Sequence, residues 1–465
     1  MTLVAMGEVC GTARVLPPTW SDRIAAVVTV GIAALLVFGP LSFGAVQPGS
    51  QLVLQLGSVL LFLLWAIGQA LDATLVWHKN LLLAPMAAFA VVVAAQLLFR
   101  TTAYPYVTTQ TLTQLVPCGL LFFTASQGCR TIASLKLLAV SLVTLGVALA
   151  LFAMVQDWTF NGKLYWYFPV RSNAWVYGPY VNHNHFAGLM EMLFPIALVM
   201  ASVDFICRRK RIVLATAAVV IAGAIFTSRS LGGMVGFVAG LVFVLIVMGR
   251  KRERRTKALA IVLGCVVLAA YLLLLQQPGL MQRLGMLGHL SGSDGAAEGR
   301  LQIVRDSIPM YRQRPFLGWG LGAFPVAFPR FKTFYTNFVI NQAHNDWLQA
   351  LVEMGIIGFI PVCCFAVMLY WIALRRLRHW KSDPFAAAAF AGLTGCTAIL
   401  VHSLADFNLR IPANAALFFV MAALATTERN SARVSGDWQS DAQLRINPAT
   451  VKRARKAAPP YFRQD

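Results

Sequence analysis

Charge is scarce in this sequence. Asp, Glu, Lys and Arg make up 12% of its 465 residues, against 58% hydrophobic residues, too little charge to coat a water-soluble fold of this length. Acidic residues are the rarer sign: 18 Asp+Glu stand against 39 Lys+Arg, a formal net charge of +21. No basic stretch forms a folded soluble domain, which argues against a nucleic-acid-binding module. The 8 cysteines are missing from every segment assigned below to the outside of the membrane, so no disulfide framework is implied. Cys363-Cys364 reads as buried apolar packing. The first apolar run lacks a convincing processing site and is too long for a signal-peptide core, so it reads as a retained span.

What is present is a series of apolar runs, each about twenty residues long, matching the thickness of bilayer hydrocarbon. About twelve spans are predicted: 24–44, 51–71, 81–99, 108–127, 135–156, 185–205, 212–228, 231–249, 258–276, 346–374, 385–404 and 412–427. Basic clusters at 208–211, 250–257, 375–381 and in the C-terminal tail each follow an even-numbered span. Basic loops stay cytoplasmic, so both termini are predicted inside, and the positive charge records topology and contact with anionic membrane lipids. The fold class is therefore an all-α polytopic membrane protein. Its expected parts are N-terminal membrane helices (1–276), an outward loop between helices 9 and 10 (277–345), C-terminal membrane helices (346–427) and a basic cytoplasmic tail (428–465).

Two outward loops are long. Residues 157–184 are rich in Trp, Tyr and Phe, which suits an interfacial aromatic belt or stacking on sugar rings. In the second loop, 298–311 reads as a short amphipathic helix and 315–324 as a glycine-rich turn. That turn lacks the Gly-Lys-Ser/Thr ending of a phosphate-binding loop.

Polar residues gather on the outward side. They include His183, His185, His289, His344 and His402; Arg229 in Ser228-Arg-Ser-Leu-Gly-Gly233; and Asp406, Asn408 and Arg410. Glu191 lies inside the sixth span, on one helical face with Asn184 and Gly188. Ionisable groups at membrane depth are costly and usually functional. The most telling stretch is Gln342-Ala-His-Asn-Asp-Trp-Leu-Gln-Ala-Leu-Val-Glu-Met-Gly-Ile-Ile-Gly358. His344 stands where a polar loop meets an apolar helix, and its spacing to Gly355, near three turns, puts both on one predicted face. An imidazole held at a membrane surface suits proton transfer on a substrate that sits in the membrane. The competing reading is local: Asn345 or Asp346 caps the helix. Arg229 has two further readings, interfacial anchor or partner of Glu191. His183 and His185 without a clear third ligand make a weak metal signal, and no metal site or cofactor is predicted. A transporter reading competes with an enzyme, but it calls for internal repeats and helices broken near the midplane. No persuasive repeat is visible, and the polar residues collect at the outward edge.

The His344-Asn345-(nine residues)-Gly355-x-x-Gly358 stretch, Val181-Asn-His-Asn-His-Phe-Ala-Gly-Leu-Met-Glu-Met192 and Asp406-Phe-Asn-Leu-Arg-Ile-Pro-Ala-Asn414 together resemble segments of the O-antigen ligase and polysaccharide polymerase family of bacterial inner-membrane proteins. The resemblance covers roughly 180–430. Many relatives carry Arg where this chain has His183. The resemblance implies a GT-C-like membrane fold and an active site at the periplasmic face. It also implies a metal-independent transfer of undecaprenyl-diphosphate-linked glycan to a hydroxyl on lipid A-core or another glycan acceptor. A polymerase joining lipid-linked repeat units is the alternative. The chemistry needs a base, for which His344 is the candidate, and cations for the departing diphosphate, for which Arg229 and Arg300 are the candidates, with Arg305 as the fallback. Asn184, His185, Glu191, Asn345, Asp406 and Asn408 complete the candidate substrate-binding set.

Overall fold

Bilayer hydrocarbon leaves backbone N–H and C=O groups no partners but one another, so each apolar run closes into a helix. The computed structural model describes residues 19–73, 75–170, 176–248, 295–336 and 339–429. Every expected span on those residues is met by a helix: α1 (Trp20–Leu41), α2 (Pro48–Leu71), α3 (Leu83–Leu98), α4 (Pro105–Gly128), α5 (Ile132–Trp158), α6 (His183–Ser202), α7 (Arg208–Thr227), α8 (Leu231–Met248), then α10 (Asp346–Arg376), α11 (Pro384–His402) and α12 (Pro412–Thr426). Ahead of α10, the second long loop carries α9 (Gly295–Gln313), close to its predicted place. A two-residue antiparallel hairpin, β1 (Lys163–Leu164) with β2 (Phe168–Pro169), is the sheet content of the described residues. The expected ninth span, His289, most of the 277–298 stretch and nearly all of the basic tail lie outside the described residues.

Eight of these helices are long and apolar enough to cross a membrane, so the chain is a multi-pass membrane protein. Helix starts follow capping chemistry. Thr19 and Asp22 form a reciprocal capping box on α1, and Asp383 accepts from the Phe385 N–H ahead of Pro384 at the first turn of α11. The bundle is organised around α6 and α11, whose span windows are 78% and 72% buried, against 22% for α2 and α10 at the edge. α6 packs on α7, α8 and α11, and α11 also packs on α8 and α12. The outer position of α10 corrects the reading of Cys363-Cys364 as buried packing: Cys364 is exposed and Cys363 half-buried.

α10 also departs from the sequence expectation. It begins at Asp346, so His344 lies before the helix, and it is broken at Gly355 (φ 60°, ψ −175°). The predicted common face of His344 and Gly355 therefore does not exist. The cause is the glycine-rich turn, which enters the break. Pro315 and Phe316 carbonyls accept from the Ile356 (2.8 Å) and Ile357 (3.1 Å) N–H groups, while the Trp319 and Gly320 N–H groups donate to the Val352 (3.1 Å) and Glu353 (2.9 Å) carbonyls. A Cβ at Gly355 would lie 2.2 Å from the Phe316 carbonyl oxygen, so only glycine fits. The broken helix is thus sealed by the chain's own loop, not opened onto a transport cavity. Gln96 of α3 completes the seal, donating to the Leu317 (2.6 Å) and Glu353 (2.9 Å) carbonyls and accepting from Leu321 N–H (3.1 Å).

Candidate functional site

The start of α10 and the Ser403–Ile411 loop are bound to each other at several points. Asn345 caps α10, its side chain accepting from Leu348 N–H at 3.0 Å. Asp346 donates its N–H to the Ser403 carbonyl at 2.9 Å. Its Oδ2 accepts from the Ser403 hydroxyl (2.9 Å) and the Leu409 N–H (3.0 Å). The capping reading therefore holds for Asn345 but not for Asp346, which binds the Ser403–Ile411 loop instead; together they fix the residue that precedes the cap. His344 is held at φ 52°, in the left-handed region. Bulky side chains avoid that region unless their surroundings force it, and such strain concentrates at functional sites.

Opposite it stands Asp406, 1% exposed. Its Oδ1 lies 3.6 Å from His344 Nδ1 and 3.8 Å from His185 Nε2, and it accepts the Phe407 N–H at 2.8 Å. The Phe407 ring meets both imidazoles edge-on, with centroids 5.1 Å from His344 and 4.6 Å from His185. Burial raises the Asp406 pKa. The contact with His344, the charges of His185 and His402 and the Phe407 N–H outweigh it and hold the carboxyl well below the usual carboxylate range. His344 Nδ1 is buried, faces the Asp406 carboxylate and has no closer hydrogen-bond partner. The side chain as a whole is 29% exposed, so the exposed part of the ring lies away from Nδ1.

The arginines approach from two sides. Arg229 is exposed in the turn between α7 and α8, with φ 60°, and so shares the left-handed strain of His344. The Ser228 carbonyl beside it accepts from His183 Nδ1 at 2.8 Å, which ties this turn to the start of α6 two residues from His185. Arg300, exposed on α9, reaches the Ala405 carbonyl at 3.5 Å, next to Asp406. Arg305 is exposed further along α9 and makes no hydrogen bond or ion pair among the described residues. The structure thus brings His344, His185, Asp406 and Arg300 together, with Arg229 one hydrogen bond removed.

The remaining candidates are internal. Asn184 is buried just after the α6 cap. Asn408 is buried, and its Oδ1 accepts from Asn414, which also accepts from the Tyr180 hydroxyl at 2.9 Å and donates to the His185 carbonyl at 2.8 Å. Glu191 is fully buried, and its partner is His402 Nδ1 at 3.0 Å rather than Arg229. Among the described residues, no group of three or more His, Cys, Asp or Glu side chains is arranged to hold a metal ion.

Sequence reasoning passed over Glu353. It is buried in α10 and accepts from Arg410 NH2 (2.6 Å), Gly322 N–H (2.8 Å), Phe324 N–H (3.4 Å) and Gln349 Nε2 (2.9 Å). Burial opposes the Arg410 charge, but Glu353 and Asp346 hold its pKa above the ordinary value. Gln349 continues the chain to Gln342 and to the Ala343 N–H, immediately before His344. A carboxylate two turns inside an apolar helix was the available signal.

Residues 216–363 match the family model described as O-antigen ligase. That stretch is similar to the O-antigen ligase family. The matched stretch takes in Arg229, Arg300, Arg305, His344 and Glu353 and leaves out Glu191, His402 and Asp406; it is narrower than the resemblance read from the sequence. No curated protein matches the chain. The protein is thus a multi-pass membrane protein with a segment similar to the O-antigen ligase family.

Proposed function

We propose that the chain is a bacterial inner-membrane ligase that moves a glycan from undecaprenyl diphosphate to a hydroxyl of lipid A-core or another surface glycan, with its site facing the periplasm and both termini in the cytoplasm. The observation that carries this reading is the His344–Asp406 pair, a buried carboxylate behind an imidazole whose far edge is open, with Arg300 beside it.

In the proposed reaction the open nitrogen of His344 takes the proton of the acceptor hydroxyl. The acceptor oxygen forms a bond to the anomeric carbon of the glycan as the bond from that carbon to the diphosphate oxygen breaks. The electron pair leaves with the lipid diphosphate, whose added charge Arg229 and Arg300 neutralise. Guanidinium donors match phosphate oxygens in pairs and stay charged when partly desolvated. Charge stabilisation of this kind contributes about 3 kcal/mol per well-placed donor. Asp406 stabilises the imidazolium that forms and holds the ring in one tautomer. These arginines do the work for which other transferases use a metal, so the reaction is proposed as metal-independent.

The test has two parts. A deletion strain is profiled for lipopolysaccharide and for undecaprenyl-linked glycan. Long polymer stranded on the lipid carrier, with bare lipid A-core, supports the ligase; single repeats in place of polymer mean a polymerase. In the complemented strain, His344→Ala is expected to abolish transfer while the protein inserts normally, and full activity in that variant removes the base.

A further inference from the structure

The Glu191–His402 pair has no part in the reaction above, yet among the described residues it is the most deeply buried ion-pair candidate. Both side chains are 0% exposed, and they meet at 3.0 Å between Oε1 and Nδ1. Their outer atoms, Glu191 Oε2 and His402 Nε2, are buried with no hydrogen-bond partner. Leaving such atoms unpaired is costly, so a specific neighbour must explain the arrangement. That neighbour is α8. A Cβ at Gly236 would lie 2.3 Å from Glu191 Oε2, and a Cβ at Gly232 would lie 2.6 Å from His402 Nε2. Gly233, on the same turn, gives equal room to Ala187 of α6, whose Cβ is 2.5 Å from the position a Gly233 Cβ would take. Positions 232 and 236 are one helical turn apart on a common face. The polar pair therefore fits only where α8 presents bare backbone, and only in one register of α8.

Both ends of this contact lead to the site. Upstream, Ser230 receives the Gly233 N–H at 3.1 Å to start α8, and Arg229 precedes it. Downstream, His402 closes α11 and its carbonyl accepts the Ala405 N–H at 2.9 Å, one residue before Asp406. We infer that Glu191 and His402 are positioning residues: seated on the Gly232–Gly236 face, they set the register of α8, and so the place of Arg229, against the loop that carries Asp406. This rests on the reading of Arg229 as a diphosphate contact. It moves Glu191 from substrate binding to support.

The test uses the full chain in lipid nanodiscs, on a cysteine-free background with spin labels at Leu231 and Leu404, which are 70% and 56% exposed. Gly236→Ala is expected to lengthen the label-to-label distance and to lower kcat about 100-fold, the effect of roughly 1 Å of misplacement, with the pH profile of residual transfer unchanged. Adding Glu191→Asp, which withdraws the carboxylate from the new methyl group, is expected to restore both readouts in part. An unchanged distance overturns the register role, whatever happens to activity. A shifted distance with an unchanged rate keeps the register role and instead removes Arg229 from the reaction. A pH profile that moves with Glu191→Gln makes the pair part of the proton chemistry and overturns the positioning role.

Discussion

Glu353→Ala removes one acceptor and leaves several donors behind. Arg410, the Gly322 and Phe324 N–H groups and the Gln349 amide all converge on that carboxylate inside the protein. Removing one side of a buried ion pair costs about 3–5 kcal/mol, and each backbone donor stranded without water about 1–3 kcal/mol. The Arg410 side chain is 18% exposed and can take up water, so the lower end, about 3 kcal/mol in all, is the expectation. The loss falls on one place, because Glu353 is what holds the glycine-rich turn in the break of α10. At about 1.4 kcal/mol per factor of ten, hydrogen exchange at Trp319, Gly320, Leu321 and Gly322 is expected to speed up roughly a hundredfold. Exchange in α6 should stay as in the wild type. Glu353→Ala with Arg410→Leu is expected to recover only part of the protection, since the unpaired buried charge is gone but the Gly322 and Phe324 N–H groups still lack their acceptor. Exchange in the turn within twofold of wild type for Glu353→Ala would refute the reasoning: the turn would then be held by the Gln96 and backbone contacts alone.

Other outcomes follow from the same geometry. Arg229→Lys is expected to lose transfer activity in a vesicle assay with lipid-linked donor, because a point charge does not replace a paired donor; wild-type turnover would leave the side chain as an interfacial anchor. The folded Asp406 pKa lies below the unfolded value of about 3.9, so its stabilisation is complete above that value and is lost as the pH falls from there toward the folded one. The stability gap between wild type and Asp406→Asn should thus narrow as melts are run below about pH 4, and a gap that widens there contradicts the sign. Gly355→Ala puts a Cβ 2.2 Å from the Phe316 oxygen at a positive φ. It is expected to destabilise by at least about 1 kcal/mol, and an unchanged melting temperature would mean that the break is not sealed as described.

The apolar runs alone specified the helices, because a bilayer allows a chain little else, and each predicted span on described residues found its helix within a few positions. Capping chemistry was equally local: Asn345 ahead of an apolar run announces a helix start, whereas the left-handed backbone of His344 emerged only from the structure. Sequence also singled out Asp406 and Arg229 as ionisable groups near membrane depth. What it could not contain is which distant groups meet. That Asp406 backs His344, that Glu191 pairs with His402 instead of Arg229, and that a glycine turn enters α10 at Gly355 are consequences of packing α6, α8, α10 and α11 against one another. Local propensity reads a neighbourhood of a few residues. A buried charge chooses its partner from whatever the tertiary fold brings within reach, and only the assembled bundle decides that.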